Sequence, residues 1–241
     1  MSPKTYVYWR LIGHTIGLAL HSGNNIAMHL AMQGEVLKDP DIKTLKATQL
    51  KYITIWNVAF QTLFLLMSIA CDLSFLYKGK EEHKYIAYIR SFKDIFFSNV
   101  VWPLSVTISA VFWPVFIINR ELIFPVYIDK ALSLLSNHIM HTAIVPIVLW
   151  EVFFQPRSRP KSHRWLVLHA IILSSTYLYV LLDNYAEHGR WPYPVLKILY
   201  GTPYFILLYI VLMIIYVIMY FIQWSITDFI FKKSIKLNKK K

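Results

Sequence analysis

Residues 198–227 read ILYGTPYFILLYIVLMIIYVIMYFIQWSIT, thirty positions without one Asp, Glu, Lys or Arg. A helix rises about 1.5 Å per residue, so roughly 20 apolar residues cross about 30 Å of hydrocarbon. This stretch is long enough to span and to tilt. Working outward from it, five more charge-free stretches appear: 165–182, 131–150, 95–119, 52–71 and 11–34, of 18, 20, 25, 20 and 24 residues. Their order predicts an all-α, polytopic membrane protein. It is one domain of six transmembrane helices, spanning about 11–34, 52–76, 95–119, 131–153, 165–184 and 202–227, followed by a basic tail at 228–241.

Composition agrees. The 241 residues are 56% hydrophobic and only 16% charged, against about 25% in a soluble domain. That excludes a disordered chain and an ordinary soluble domain. The single Cys71 excludes an intramolecular disulfide, a C-x-x-C redox motif and a Cys-rich zinc site. The first stretch is interrupted by His14, His21, Asn24 and Asn25 and lacks a small-residue cleavage site. It is therefore read as a retained span and not as a signal peptide.

The net charge of +12 would suit nucleic acid, but the positions of the basic residues argue for a membrane topology instead. Outside the six stretches, Lys and Arg number 2, 4, 5, 2, 4, 2 and 6 in chain order, so alternate segments collect 17 on one side and 8 on the other. By the positive-inside rule the richer side, with both termini, faces the cytoplasm. The six lysines of the tail suit an anionic membrane surface. An endoplasmic reticulum, other endomembrane or plasma membrane location follows, with no nucleic-acid partner.

Turn chemistry marks the connections. Lys78–Lys84 reads as a solvated turn in a 73–94 loop, Asp39-Pro40-Asp41 breaks the first connection, and Gln155–Ser162, with two prolines, reads as non-helical. The segment Gly189-Arg190-Trp191-Pro192-Tyr193-Pro194 reads as a turn carrying interfacial aromatic anchors. No internal repeat is evident, which disfavours an inverted-repeat transporter.

Polar side chains inside spans are costly, and so are the first place to look for function. Span 1 holds His14, His21, Asn24, Asn25 and His29; span 2 opens with Thr54 and Asn57, three apart on one face; span 4 carries Asn137, His138, His141 and Thr142; span 5 has His169. A lone Thr in a membrane helix ordinarily bonds back to its own backbone, and a lone His to a neighbouring helix. Three polar side chains within Asn137–His141 are harder to assign to such roles. One constellation is a hydroxyl nucleophile with a histidine base: Thr54 and His141 both fall in the outer half. Their depths differ by roughly 10 Å at 1.5 Å per residue, so tilt or a recessed start of span 2 must bring them together. The other is a bis-histidine haem site. It is disfavoured because His14 and His21 lie in the opposite half from His138 and His141. No metal or cofactor is required for the first.

Several motifs occur in register: Lys51-Tyr52-Ile53-Thr54 with Asn57, Asp72-Leu73-Ser74, Ala110–Trp113, Asn119–Ile123 with Pro125, Asn137-His138 with Met140-His141-Thr142 and Pro146, and Gly189, Trp191, Tyr193-Pro194. Together, from about residue 50 to 200, they resemble the androgen-induced and androgen-dependent TFPI-regulating proteins, the FAR-17a/AIG-like family. The resemblance implies a multispan hydrolase of fatty acid esters of hydroxy fatty acids, with Thr54 as nucleophile and His141 as the catalytic histidine. The lipid substrate would be met within the bilayer. Asn57 or Asn137 would orient His141 or donate to an oxyanion, and Arg120 would meet the substrate carboxylate or anchor the end of span 3. His138 matches a second family histidine of open role. The residues around 47–50 and 185–188 depart from the family pattern, which leaves substrate selectivity open. The alternative from another class is a non-enzymatic membrane regulator acting through its basic tail or loops.

Overall fold

The computed structural model describes residues 3–78 and 83–238, with side chains from 4 to 77 and 83 to 231. The described residues form ten α-helices: α1 (Pro3–Ala31), α2 (Pro40–Thr48), α3 (Ile53–Lys78), α4 (Lys84–Phe96), α5 (Trp102–Asn119), α6 (Leu134–His138), α7 (Ile144–Phe154), α8 (Arg164–His188), α9 (Pro194–Leu199) and α10 (Pro203–Asn238). Among the described residues, five helical runs are long and apolar enough to cross a membrane: Ile53–Tyr77, Lys84–Leu122, Leu134–Phe154, Arg164–His188 and Pro203–Phe231. Helix α1 has the length, at 29 residues, but its inward face mixes polar with apolar side chains. Val7, His14, His21 and Met28 recur every seven residues and are all buried, while Ile12, Ile16 and Leu20 are exposed.

Two runs are single helices interrupted by π turns. Phe97–Val101 joins α4 to α5, and Ile139–Ala143 joins α6 to α7. A proline closely follows each, Pro103 and Pro146. Proline lacks the N–H that would bond the carbonyl four residues back, and its ring pushes that carbonyl away. For Pro103 the released carbonyl is that of Asn99, and the Tyr216 hydroxyl from α10 donates to it. Gln223 Nε2 donates to the neighbouring Ser98 carbonyl at 2.8 Å. Helix α10 is thereby fastened to an irregular stretch that would otherwise be costly in lipid.

Helix α1 packs along α3 and α7, and α5 lies against α7 and α10. Gly13 permits the first approach: a Cβ there would fall 2.2 Å from the Trp150 ring. The most apolar stretches of α8 and α10 are only 17% and 11% buried, against 39–50% for the α3, α4–α5 and α6–α7 runs, so α8 and α10 form the periphery. At the end where α3 begins, α2, the 3₁₀ turns Gly34–Lys38, Arg120–Leu122 and Val126–Lys130, and α9 form a cap. Asp39 starts α2 as its N-cap, accepting from Asp41 N–H, with Pro40 in the first turn. Cys71 is buried at 3% exposure.

Several connections differ from the sequence expectation. The 73–94 segment is mostly helical: α3 runs to Lys78 and α4 resumes at Lys84, because Tyr85, Ile86, Tyr88 and Ile89 sustain helical periodicity despite the charges. The core of the expected turn, 79–82, lies outside the described residues. The tail is continuous with the last span, since α10 extends to Asn238. Residues 239–241 and the tail's lysine side chains lie outside the described residues. The 155–163 segment is non-helical, as its prolines dictate.

Candidate active site

Thr54 is the second residue of α3, and the cap buries it to 7% exposure. His141 sits in the π turn at 4%. Thr54 Oγ1 lies 3.4 Å from His141 Nε2. The expected depth gap closes for two reasons. Helix α3 begins recessed beneath α2 and the Gln49–Lys51 turn, and α6 begins only at Leu134, which makes His141 the eighth residue of its helical run.

The histidine's tautomer follows from its second nitrogen. Nδ1 lies 3.0 Å from the Asn137 carbonyl oxygen, and a carbonyl can only accept. Nδ1 therefore carries the proton, and the Nε2 lone pair faces the Thr54 hydroxyl. The ring stacks on Phe112, centroids 3.5 Å apart and 12° from parallel, which fixes its plane. A positioned base, itself oriented by a third group, next to a hydroxyl is the geometry general-base activation requires.

Two apolar cavities meet at this pair. One of about 270 Å³ runs between α5, α8 and α10, and one of about 60 Å³ lies under the cap. Thr54, Phe112, Ile123, His141 and Tyr193 line both, and no Asp, Glu, Lys or Arg lines either.

The other residues singled out in the sequence are placed apart from the pair. Asn57, fully buried, accepts from Ser105 Oγ at 2.9 Å. It thereby ends a chain in which Gln61 Nε2 donates to Ser105 and to the Ile144 carbonyl, and His21 Nε2 donates to Gln61 Oε1 at 2.8 Å. Asn137 reaches His141 through its backbone carbonyl, and its side-chain oxygen is buried with no hydrogen-bond partner. His138 turns outward, stacks on Trp113 and bonds Thr142 Oγ1 at 3.1 Å. Arg120 makes a two-pronged pair with Asp129 at 2.8 and 2.9 Å, lies against Phe116 and Phe124, and donates to the Phe124 carbonyl. His14 pairs with Glu151 at 3.0 Å and His29 is exposed. His14, His21, His138 and His141 thus have four different partners, and no two of them converge on one point as a bis-histidine haem site needs.

Two features escaped the sequence reading. Tyr193, taken there for an interfacial anchor, instead turns its hydroxyl to Thr54 and to the backbone N–H of Ile53, 3.2 Å away. The second is a charge cluster at the far end of the bundle. Glu151, fully buried, is ringed by Lys93, Arg157 and His14. Beside it Asp72 pairs with Arg10.

Residues 10–227 match the FAR-17a/AIG1-like protein family. The chain belongs to that family. Family membership carries the multi-pass membrane character that the five apolar helical runs show. Among curated relatives, it is 34% identical to the human androgen-dependent TFPI-regulating protein over 66% of this chain and 69% of that one. It is 31% identical to the mouse protein of that name over 62% and 63%. With the human androgen-induced gene 1 protein it shares 25% identity over 61% and 63%. No solved structure matches the chain.

Proposed function

We propose that this FAR-17a/AIG1-like protein is a six-span membrane hydrolase, with both termini cytoplasmic, that cleaves fatty acid esters of hydroxy fatty acids. The observation that carries the reading is the 3.4 Å approach of a proton-accepting His141 Nε2 to the Thr54 hydroxyl, at the junction of two apolar cavities. In the proposed reaction, Nε2 takes the Thr54 proton as Oγ1 attacks the ester carbonyl carbon. The tetrahedral intermediate expels the hydroxy fatty acid as the alcohol, which receives that proton from the imidazolium. Water, deprotonated by His141, then attacks the acyl-Thr54 ester, releases the fatty acid and restores the hydroxyl.

The cavities support a substrate with two apolar arms flanking one ester. The large cavity lies between α5 and the peripheral α8 and α10, which offers a chain entry from lipid. A free carboxylate finds no charged wall and would remain at the rim. Arg120, joined to the rim through the Phe124 carbonyl, is the cation there, and it would have to share its guanidinium with Asp129.

The test is hydrolysis of such an ester by purified protein and by Thr54→Ala and His141→Ala. Each variant should lose activity by about 10³-fold or more, as for removal of a nucleophile or its base, and Thr54→Ser should keep part of it. Either alanine variant with full activity rejects the reading. A non-enzymatic regulator would instead keep its biological effect in both variants and lose it on deletion of 232–241.

A further inference from the structure

The loop that presents Tyr193 is held at both ends. Helix α8 stops at Gly189, whose φ of 64° is the left-handed turn that glycine adopts without strain, and its N–H donates to the Tyr185 carbonyl at 2.8 Å. Asn184 Nδ2 then donates to the Arg190 carbonyl at 2.7 Å. Pro192 and Pro194 restrict the backbone on either side of Tyr193, and its ring meets Tyr52 edge to face at 5.4 Å. A hydroxyl fixed in this way needs little reorganisation to act.

The hydrogen bonds around that hydroxyl limit where its proton can go. Ile53 N–H, at the start of α3, donates to both the Tyr177 and Tyr193 oxygens, at 3.0 and 3.2 Å. Tyr177 passes its own proton to the Lys51 carbonyl at 3.2 Å. Tyr193 oxygen is also hydrogen-bonded to the Tyr177 hydroxyl and to the backbone and side chain of Thr54. When the Thr54 proton turns to His141 and the Tyr177 proton to the Lys51 carbonyl, the Tyr193 O–H can donate to Thr54 Oγ1 or to the Tyr177 oxygen, and the proposal below rests on the first of these. That choice gives one relay: backbone N–H to Tyr193, Tyr193 to Thr54, Thr54 to His141, His141 to the Asn137 carbonyl. Donation from the helix start polarises the phenol and strengthens its O–H as a donor.

Resting on the hydrolase reading above, we propose that the Tyr193 hydroxyl is the oxyanion donor of this site. When Thr54 Oγ1 bonds to the ester carbon, the carbonyl oxygen becomes an alkoxide one atom away from the oxygen that Tyr193 already contacts. A small rotation of the O–H moves its hydrogen bond from Thr54 Oγ1 to that alkoxide, where negative charge develops only in the transition state and the intermediate. Collapse of the intermediate returns the bond to the acyl-Thr54 oxygen, and the same donor serves the second, hydrolytic addition. Burial pushes the phenol above its ordinary pKa, which keeps the proton in place. Tyr193 lines both cavities, so it meets the ester whichever arm lies in which.

The experiment compares full-length wild type, Tyr193→Phe and Thr54→Ala on one long-chain ester of a hydroxy fatty acid. Two inhibitors of equal chain length are included: an alkyl trifluoromethyl ketone, which adds Thr54 to form an oxyanion, and the corresponding unreactive ether. Tyr193→Phe should lower kcat about 10²–10³-fold, as loss of one oxyanion donor does elsewhere, with KM within about twofold. It should weaken the ketone by a similar factor and leave the ether unchanged. An undiminished kcat, a loss confined to KM, or equal weakening of ketone and ether overturns the assignment of Tyr193. Full activity of Thr54→Ala instead overturns the hydrolase reading itself, whatever Tyr193 does. Should Tyr193→Phe not fold, 3,5-difluorotyrosine at 193 keeps the ring and acidifies the phenol. The alkaline limb of kcat should then move to lower pH, and an unmoved limb rejects the proposal.

Discussion

Thr54 and His141 at one end of the bundle, and Glu151 with its cations at the other, are both buried polar clusters, and they are built in opposite ways. Around Thr54 the participants are hydroxyls, a neutral imidazole and a backbone carbonyl, set against apolar cavity walls. The groups share hydrogen bonds among themselves, with room left over beside them. Around Glu151 the participants are ions. Lys93 lies 3.3 Å from one carboxylate oxygen, His14 3.0 Å from the other, and Arg157 contacts the acid while stacking 3.9 Å above the Phe97 ring. Arg10 grips Asp72 and the Phe154 carbonyl. Opposite charges fill that space, and neither cavity that meets Thr54 reaches it. Neutral groups beside a cavity can exchange partners with a substrate at small cost. Buried ions cannot, because stripping one partner leaves a charge uncompensated. The first arrangement suits chemistry and the second fastens α1, α3, α4 and α7 to one another.

The sharpest way to break this contrast is to remove one member of each cluster. Glu151→Ala should cost about 3–5 kcal/mol of stability, the usual range for breaking a buried ion pair, read as a large fall in the unfolding midpoint in detergent. On the proposed hydrolase reading, the folded fraction should keep full turnover. His141→Ala should do the reverse, abolishing turnover with a midpoint near wild type. If His141→Ala unfolds the protein, or Glu151→Ala removes turnover per folded molecule, the division fails. A smaller effect tests whether helix packing at the ionic end is as tight as it looks. Gly13→Ala drives a methyl into the Trp150 ring, and overpacking of this kind costs about 1–3 kcal/mol. The smallest effect lies in the cap. The hydrogen bond from Lys130, followed by that from Asp41 N–H, lowers the Asp39 pKa. A depressed carboxylate stabilises above its unfolded value and stops doing so as pH falls through the folded one. Acid should therefore loosen α2 before the spans, seen as faster amide exchange in 40–48, and Asp39→Asn should make that exchange independent of acid.

How far each cluster was legible in the sequence follows from its physics. The five apolar helical runs were readable because hydrocarbon imposes a simple rule on charge. Thr54 and His141 were readable as rare polar residues within them, and the resemblance paired them. Their approach was not readable, since it depends on a π turn and on 3₁₀ segments that set α3 back from the surface, and no residue pattern announces either. Tyr193 was misplaced because an aromatic in a Trp-Pro-Tyr-Pro turn looks the same whether it faces headgroups or a neighbouring helix start. The ionic cluster was visible in a form not exploited. Arg10, Asp72, Asp94 and Glu151 each border one of the charge-free stretches, and the bundle gathers those borders into one network. Only Arg10 entered the count of basic residues, and the three acids, seen only as the ends of apolar stretches, are its partners and those of the neighbouring cations.

The burial of Cys71 has a practical consequence. A walled-in thiol is out of reach of bulky electrophiles, and no other cysteine exists in the chain. The natural protein is thus already a blank background for labelling. A cysteine introduced at exposed Arg159, or at exposed Glu187, would be the sole site for a membrane-impermeant maleimide added to sealed vesicles. The two labels should appear from opposite faces, turning the uneven distribution of lysine and arginine into a direct reading of sidedness.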